Sequence, residues 1–203
     1  MKIFGIGRNY LDHAKELKND VPAEPMFFMM PDTALLTNNK PFYYPEFTKN
    51  LHYEVEIVVK ISRVGKNISE KFAKRYYDEI ALGIDLTARD LQEKCKQKGL
   101  PWEICKSFDN AAPISKFVKL SNYPNIQDID FSLDINGKTV QKANTRDMIF
   151  GVDRLIAHIS QFVTIKIGDL IYTGTPAGVG PLHIGDNLIG RIGDKKMMDF
   201  YIK

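Results

Sequence analysis

Polar and apolar residues alternate with period two along Glu54-Val55-Glu56-Ile57-Val58-Val59. That pattern predicts a strand with Glu54 and Glu56 on one face and Val55, Ile57 and Val59 on the other. The strand extends over residues 53–61. Runs rich in β-branched and aromatic residues between turn formers predict further strands at 2–6, 26–29, 80–85, 131–135, 139–143, 170–173, 187–192 and 197–202. Asn136-Gly137 between two such runs marks a tight hairpin, because a primed turn needs positive φ at both positions. Ile-Gly-Asp recurs at 167–169, 184–186 and 192–194 and reads each time as a turn. Helical spacing predicts helices at 10–17, 70–77, 88–98 and 152–162, the third opened by Thr87 and Asp90 as a capping box. The expected architecture is α+β and β-rich, a single domain over residues 1–203 with helices at its edge.

Charge narrows the partners. The 28 basic and 25 acidic residues are interspersed, and the densest basic stretch, residues 94–98, alternates with other residues like the solvated face of a helix. Without clustered cations and interleaved aromatics, no nucleic-acid partner is expected. No apolar run reaches the ~20 residues of a membrane-spanning helix, so no membrane partner is expected either. Cys95 and Cys105 are the only cysteines and form no Cys-x-x-Cys pair. The first eight residues are too briefly apolar for a secretory leader, and together these features predict a reduced, cytoplasmic protein.

The carboxylates carry the candidate chemistry. Glu54 and Glu56 on one strand face would suit a hard divalent ion, although any strand with one face in water shows the same alternation. Asp85 closes the apolar run 80–84 where strand gives way to helix, a position for a ligand or for a helix cap. Arg89 and Gln92 share a helix face leading back towards it, and Gly99-Leu100-Pro101-Trp102 is a turn able to fold Lys106 over the same place. His52 precedes the pair on the same face and reads as a rim histidine. His158 and His183 lack acidic companions and read as structural. No Gly-x-Ser-x-Gly elbow, phosphate loop or dinucleotide fingerprint occurs.

The order of several blocks resembles the fumarylacetoacetate hydrolase superfamily. They are Gly7-Arg8-Asn9-Tyr10, Asp12-His13, Tyr53-Glu54-Val55-Glu56, Asp85-Leu86-Thr87-Ala88-Arg89-Asp90 with Gln92, and Gly99-Leu100-Pro101-Trp102. Lys106-Ser107-Phe108-Asp109, Asn144-Thr145 with Met148-Ile149-Phe150, and Thr173-Gly174-Thr175-Pro176 with Gly178-Val179-Gly180 complete the series. The similarity is greatest to the short acylpyruvate hydrolase and oxaloacetate decarboxylase type. It implies a mixed β-roll, usually a homodimer, with magnesium or manganese held by Glu54, Glu56 and Asp85. It further implies Arg89, Gln92 and Thr175 around a small 2-oxo acid substrate, and Lys106 with the pair His13 and Glu16 as catalytic groups. His13 and Glu16 then ride on a lid, with Gly5 and Gly7 as its permissive backbone and residues 9–25 standing away from the metal until substrate binds. Met30 stands where such sequences commonly carry lysine, which removes a cation from a segment expected near the pocket.

The implied reaction cleaves a carbon–carbon bond in acylpyruvates or decarboxylates oxaloacetate, both through a metal-stabilised enolate. An isomerase or tautomerase of unsaturated 2-hydroxy acids is the alternative, and His13 with Glu16 favours the water-activating hydrolase. A protein that keeps a divalent ion only as a structural staple is a third reading. It leaves Lys106, Arg89, Gln92 and the His13–Glu16 pair without a use.

Overall fold

A computed structural model of the chain describes residues 1–16 and 20–203. Its first strands are β1 (Ile3–Gly7), β2 (Met26–Met30), β3 (Leu35–Leu36), β4 (Leu51–Tyr53), β5 (Val55–Ile61), β6 (Tyr77–Ile84) and β7 (Thr87–Ala88). There follow β8 (Ala112–Pro113), β9 (Val118–Lys119), β10 (Asp130–Ile135), β11 (Lys138–Asn144), β12 (Leu170–Tyr172), β13 (Gly180–Pro181), β14 (Asn187–Ile192) and β15 (Lys195–Tyr201). The helices are α1 (Leu11–Glu16), α2 (Arg89–Lys98), α3 (Glu103–Lys106) and α4 (Val152–Phe162). This is the β-rich α+β architecture that the pattern predicts.

The largest sheet runs β2-β1-β12-β5-β6-β9. Within it β1 is parallel to β12 and the other neighbours are antiparallel, so the sheet is mixed and has two open edges. A four-stranded antiparallel sheet, β11-β10-β14-β15, carries the predicted hairpin. Asn136 and Gly137 there have φ of 52° and 80°, the primed-turn geometry their chemistry favours. The three Ile-Gly-Asp segments are turns, each with its glycine at positive φ.

Strand β5 is buried on both faces, so the half-solvated strand suggested by its alternation is not what forms. Ile57, Val59, Leu82 and Ile84 of β5 and β6 join the main apolar cluster, while Val58, Ala81 and Tyr172 belong to a second one. Burying one such aliphatic side chain contributes roughly 1.5–3 kcal/mol. On α4, Val152, Leu155, Ile156 and Ile159 recur at helical spacing and are all buried against the main cluster.

Three local expectations change. The strand predicted over 53–61 is broken at Glu54, which lies between β4 and β5. Residues 70–75 form a 3-10 helix rather than an α-helix. Helix α2 begins at Arg89 without a side-chain cap: Thr87 belongs to β7, and Asp90 turns out to Thr48 Oγ1 at 2.6 Å and Lys49 N at 3.0 Å. A partner on the neighbouring loop thus outcompetes the local capping box. The first helix ends its described part at Glu16, and Leu17, its predicted last residue, lies outside the described residues.

Candidate metal centre and active site

Antiparallel pairing of β5 with β6 puts Val55 opposite Ile84, so the chain ends beyond that pair bring Glu54 and Asp85 side by side. The Asp85 amide donates to the Glu54 carbonyl at 2.8 Å. Glu54, Glu56 and Asp85 are all buried, and one carboxylate oxygen from each lies within 4.8 Å of the others. Asp85 is therefore not a helix cap. Its Oδ1 is buried with no hydrogen-bond partner among the described residues, an orphan acceptor of the kind a ligand or ion satisfies.

The electrostatics agree with a cation site. Burial, then the negative charges of Asp85 and Glu54, push the Glu56 carboxyl well above its usual range. Burial likewise raises Asp85, to about 6, against the opposing pull of Lys106. Glu54 is lowered in spite of burial, because Lys106 and then Arg89 stand beside it. Three converging carboxylates, two of them held in unfavourable like-charge contact, suit an oxygen-ligated divalent ion. His52 is not in this group. Its Nε2 pairs with Asn50 Oδ1 at 2.9 Å, and burial and Arg89 lower its pKa to about 4.

Cations surround the floor. Lys106 Nζ donates to Glu54 Oε2 at 2.8 Å and to Asp85 Oδ2 at 2.7 Å. Burial disfavours its charge, but Asp85 and Glu54 hold its pKa above the ordinary lysine value. The turn before it does fold it back, through α3, as its composition suggests. Arg89 Nη2 donates to Glu54 Oε1 at 2.5 Å and Nη1 to Gln92 Oε1 at 2.6 Å. Thr175 also lines the cleft, but its hydroxyl donates to the Val55 carbonyl at 2.9 Å and accepts from Gln141 Nε2 at 2.9 Å.

Helix α1 covers the site. His13 is buried at 5% exposure and lines the same cleft as Glu54, Asp85 and Lys106. Its Nδ1 lies 3.0 Å from Glu16 Oε2, and the other carboxylate oxygen of Glu16 accepts from the Gly178 amide at 3.0 Å. The expected displaced lid is thus replaced by a docked one; residues 17–19 of that segment lie outside the described residues. Gly5 and Gly7 are not its hinges. Both lie in β1, where a Cβ would meet the Phe28 ring at 2.3 Å and the Met26 methyl at 2.6 Å, so they serve close packing against β2.

Beneath the docked helix the cleft is tight, with a free interior of about 30 Å³. Met30 is not among its walls. It is buried in the second apolar cluster with Ile3 and Leu170, so the absent lysine leaves a packing difference rather than a missing charge in the cleft. Several contributors escape a reading of the sequence. Gln141 is buried at 1% exposure and ties the site loops together: Oε1 accepts from the Val55 amide at 2.9 Å, and Nε2 donates to Thr175 Oγ1 and the Pro176 carbonyl. The Gly174 amide donates to Glu56 Oε2 at 2.7 Å, where φ of 99° and the nearby Asn9 Cβ leave no space for a side chain. Ile6, Gly7, Arg8, Phe28, Lys96 and Trp102 complete the walls.

Residues 2–200 match the family described as fumarylacetoacetate (FAA) hydrolase C-terminal. The chain is 41% identical to the mitochondrial oxaloacetate tautomerase of Mus musculus over 98% of its own length and 90% of that protein's. It is 41% identical to the mitochondrial oxaloacetate decarboxylase of Dictyostelium discoideum, over 91% of this chain and 85% of that one. Fumarylpyruvate hydrolase from Pseudomonas aeruginosa, solved with Mn2+ and pyruvate, superposes with a TM-score of 0.94 at 33% identity, covering 100% of this chain and 89% of the other. The mitochondrial relatives overturn the expectation of a cytoplasmic protein. Free buried thiols such as Cys95 and Cys105 are compatible with more than one reducing compartment, so they do not select the cytoplasm.

Proposed function

Because the chain belongs to the fumarylacetoacetate hydrolase family, we propose that it is a divalent-cation-dependent enzyme of short 2-oxo acids whose main reaction is keto–enol interconversion of oxaloacetate. The observation that carries this reading is the seating of the His13–Glu16 pair over Glu54, Asp85 and Lys106 in one small cleft. Glu54, Glu56 and Asp85 would hold magnesium or manganese, which supplies Lewis-acid polarisation of the 2-oxo group.

The chain's own groups then divide the work. Arg89, Gln92 and Thr175 line the end of the cleft that receives the oxo acid, and Arg89 offsets part of the charge of the carboxylate floor. Glu16, accepting from Nδ1–H of His13, fixes the tautomer in which Nε2 is the free base. In the keto-to-enol direction that nitrogen takes a proton from C3 and the 2-oxo oxygen gains one; in reverse the enol oxygen gives up its proton and C3 receives one from the imidazolium. Lys106, held at the floor by Glu54 and Asp85, would stabilise the oxygen on which negative charge develops. A staple role for the cation would leave this arrangement of Lys106, Arg89 and His13 without purpose.

Hydrolysis of acylpyruvates is the second reading, favoured by the likeness to fumarylpyruvate hydrolase. There His13 Nε2 takes its proton from water, the hydroxide adds to the distal carbonyl, and the C3–C4 bond breaks to give a carboxylate and the enolate of pyruvate. The histidine pair serves both reactions, so its presence no longer favours hydrolysis. The test is a panel of enol-oxaloacetate, keto-oxaloacetate, acetylpyruvate and fumarylpyruvate, each with Mg2+ and with chelator. The reading expects enol-oxaloacetate to be consumed fastest and chelator to stop every reaction. Turnover of acylpyruvates alone would favour the second reading, and full activity in chelator would defeat both.

A further inference from the structure

The ion pairs of the cleft run from Arg89 and Lys106 to Glu54 and Asp85, and among the described residues none involves two further cations on its walls, Arg8 and Lys96. Lys96 extends the helix face of Arg89 and Gln92 by one more turn, so α2 presents all three to the cleft. Its Nζ stands 6.0 Å from the centre of the Trp102 ring. Partial desolvation, then repulsion from Arg89 and Arg8, holds its pKa below the ordinary lysine value although the side chain is largely exposed.

Arg8 is held in an unusual backbone state, φ 58°, where L side chains are rarely found. The chain on its far side explains why. Asn9 is fully buried, its amide donating to the Phe150 and Thr173 carbonyls and its Oδ1 accepting from the Phe150 amide. Glycine or asparagine would take that backbone at less cost. With arginine there, the constrained turn delivers a half-buried guanidinium to the cleft mouth.

Charge balance gives these groups a ligand. The three floor carboxylates, Glu16, a divalent ion, Arg89 and Lys106 together sum to zero, so Arg8 and Lys96 bring the cleft to two positive charges. A 2-oxo monocarboxylate would cancel only one of them. A second carboxylate, beyond C3, cancels the other. We propose that Arg8 and Lys96 form a subsite for the distal carboxylate of the substrate, so that the cleft selects dianionic 2-oxo acids over monoanionic ones. This rests on the reading of the cleft as a 2-oxo acid site.

The test is calorimetric binding to the Mg2+-loaded protein of two probes, difluorooxaloacetate, a dianion with no C3 proton to lose, and pyruvate, a monoanion. The wild type is expected to bind the dianion at least about tenfold more tightly. Lys96→Met, and separately Arg8→Asn, which suits the left-handed backbone, are expected to lower that preference about tenfold, and Lys96→Arg to keep it. Equal affinities in the wild type would overturn the subsite, as would variants that weaken both probes in parallel. Melting curves of the variants exclude unfolding as the cause, and Lys96, exposed on α2, tests the idea even if Arg8→Asn does not fold. Turnover is scored separately. A protein that discriminates the probes but converts no 2-oxo acid would refute the proposed reaction and keep the subsite; an active one without discrimination would do the reverse.

Discussion

Glu54, Glu56 and Asp85 hang from two central strands of the six-stranded sheet, whereas His13 and Glu16 ride on a helix of six described residues whose outer positions are exposed. The floor is buried, charge-dense and fixed by the pairing of β5 with β6. The cover is too short to be a stable helix by itself. Among its ties are the Glu16–Gly178 hydrogen bond and the pinning of Asn9, just ahead of it, by Phe150 and Thr173. The contrast separates two tasks. On the proposed function, affinity for a cation is built into the core, and proton transfer is carried by an element that can be altered without disturbing that core.

Damage to the floor is the severest way to probe this division. Glu56→Gln or Asp85→Asn is expected to cut turnover by about 10³-fold or more, the scale for losing a Lewis acid. The same changes should raise the melting temperature of the metal-free protein, because they remove buried like-charge contacts. A variant with lowered activity and lowered stability would mean that the carboxylates hold the fold together instead. Lys106→Met sharpens the point: turnover should fall ~100-fold or more with no loss of metal affinity, since the ammonium competes for the carboxylates that would hold the ion.

On the cover, His13→Ala is expected to lower tautomerisation and acylpyruvate hydrolysis by ~100-fold, the usual scale for a general base. Metal affinity should not change. Loss of carbon dioxide from oxaloacetate needs no proton abstraction and should suffer much less. Parallel losses in kcat and metal affinity would erase the distinction between floor and cover.

Between the two lies Gln141, whose hydrogen bonds join β5 to the loop that carries Thr175 and Pro176. Gln141→Ala leaves the buried Val55 amide unpaired and should cost about 1–3 kcal/mol in urea unfolding. The smallest effect concerns pH. With the folded pKa of Asp85 raised to about 6, and Glu56 raised as well, the metal-free folded state binds more protons than the unfolded one. Its stability should fall as pH rises from about 4 through 6, and saturating Mg2+ should abolish that slope.

Much of the floor is legible in the chain because its geometry is local. Period-two spacing relates Glu54 to Glu56, and the end of an apolar run locates Asp85. Helical spacing likewise puts Arg89 beside Gln92. What stays hidden depends on contacts between distant segments. Gln141 meets Val55 across 86 residues, and Gly174 meets Glu56 across 118, with no pattern in either segment to announce it. Lys96 belongs to the solvated face that the alternating basic stretch predicts and is exposed, and only its register with Arg89 and Gln92 shows that it also borders the cleft. Gly5 and Gly7 mislead in the other direction, since close packing by β2 and flexibility call for the same residue. Met30 reads as a lost charge only until its apolar surroundings are known.

On the proposed function, Glu54, Glu56 and Asp85 form one divalent-cation site on which the chemistry depends. Calorimetric titration of Mg2+ and Mn2+ into the wild type and Glu56→Gln, repeated in buffers of different ionisation enthalpy, addresses it directly. One ion per chain is expected in the wild type, with protons released from the raised carboxyls, and no tight binding by the variant. Undiminished binding by Glu56→Gln, or no binding by the wild type, would contradict it.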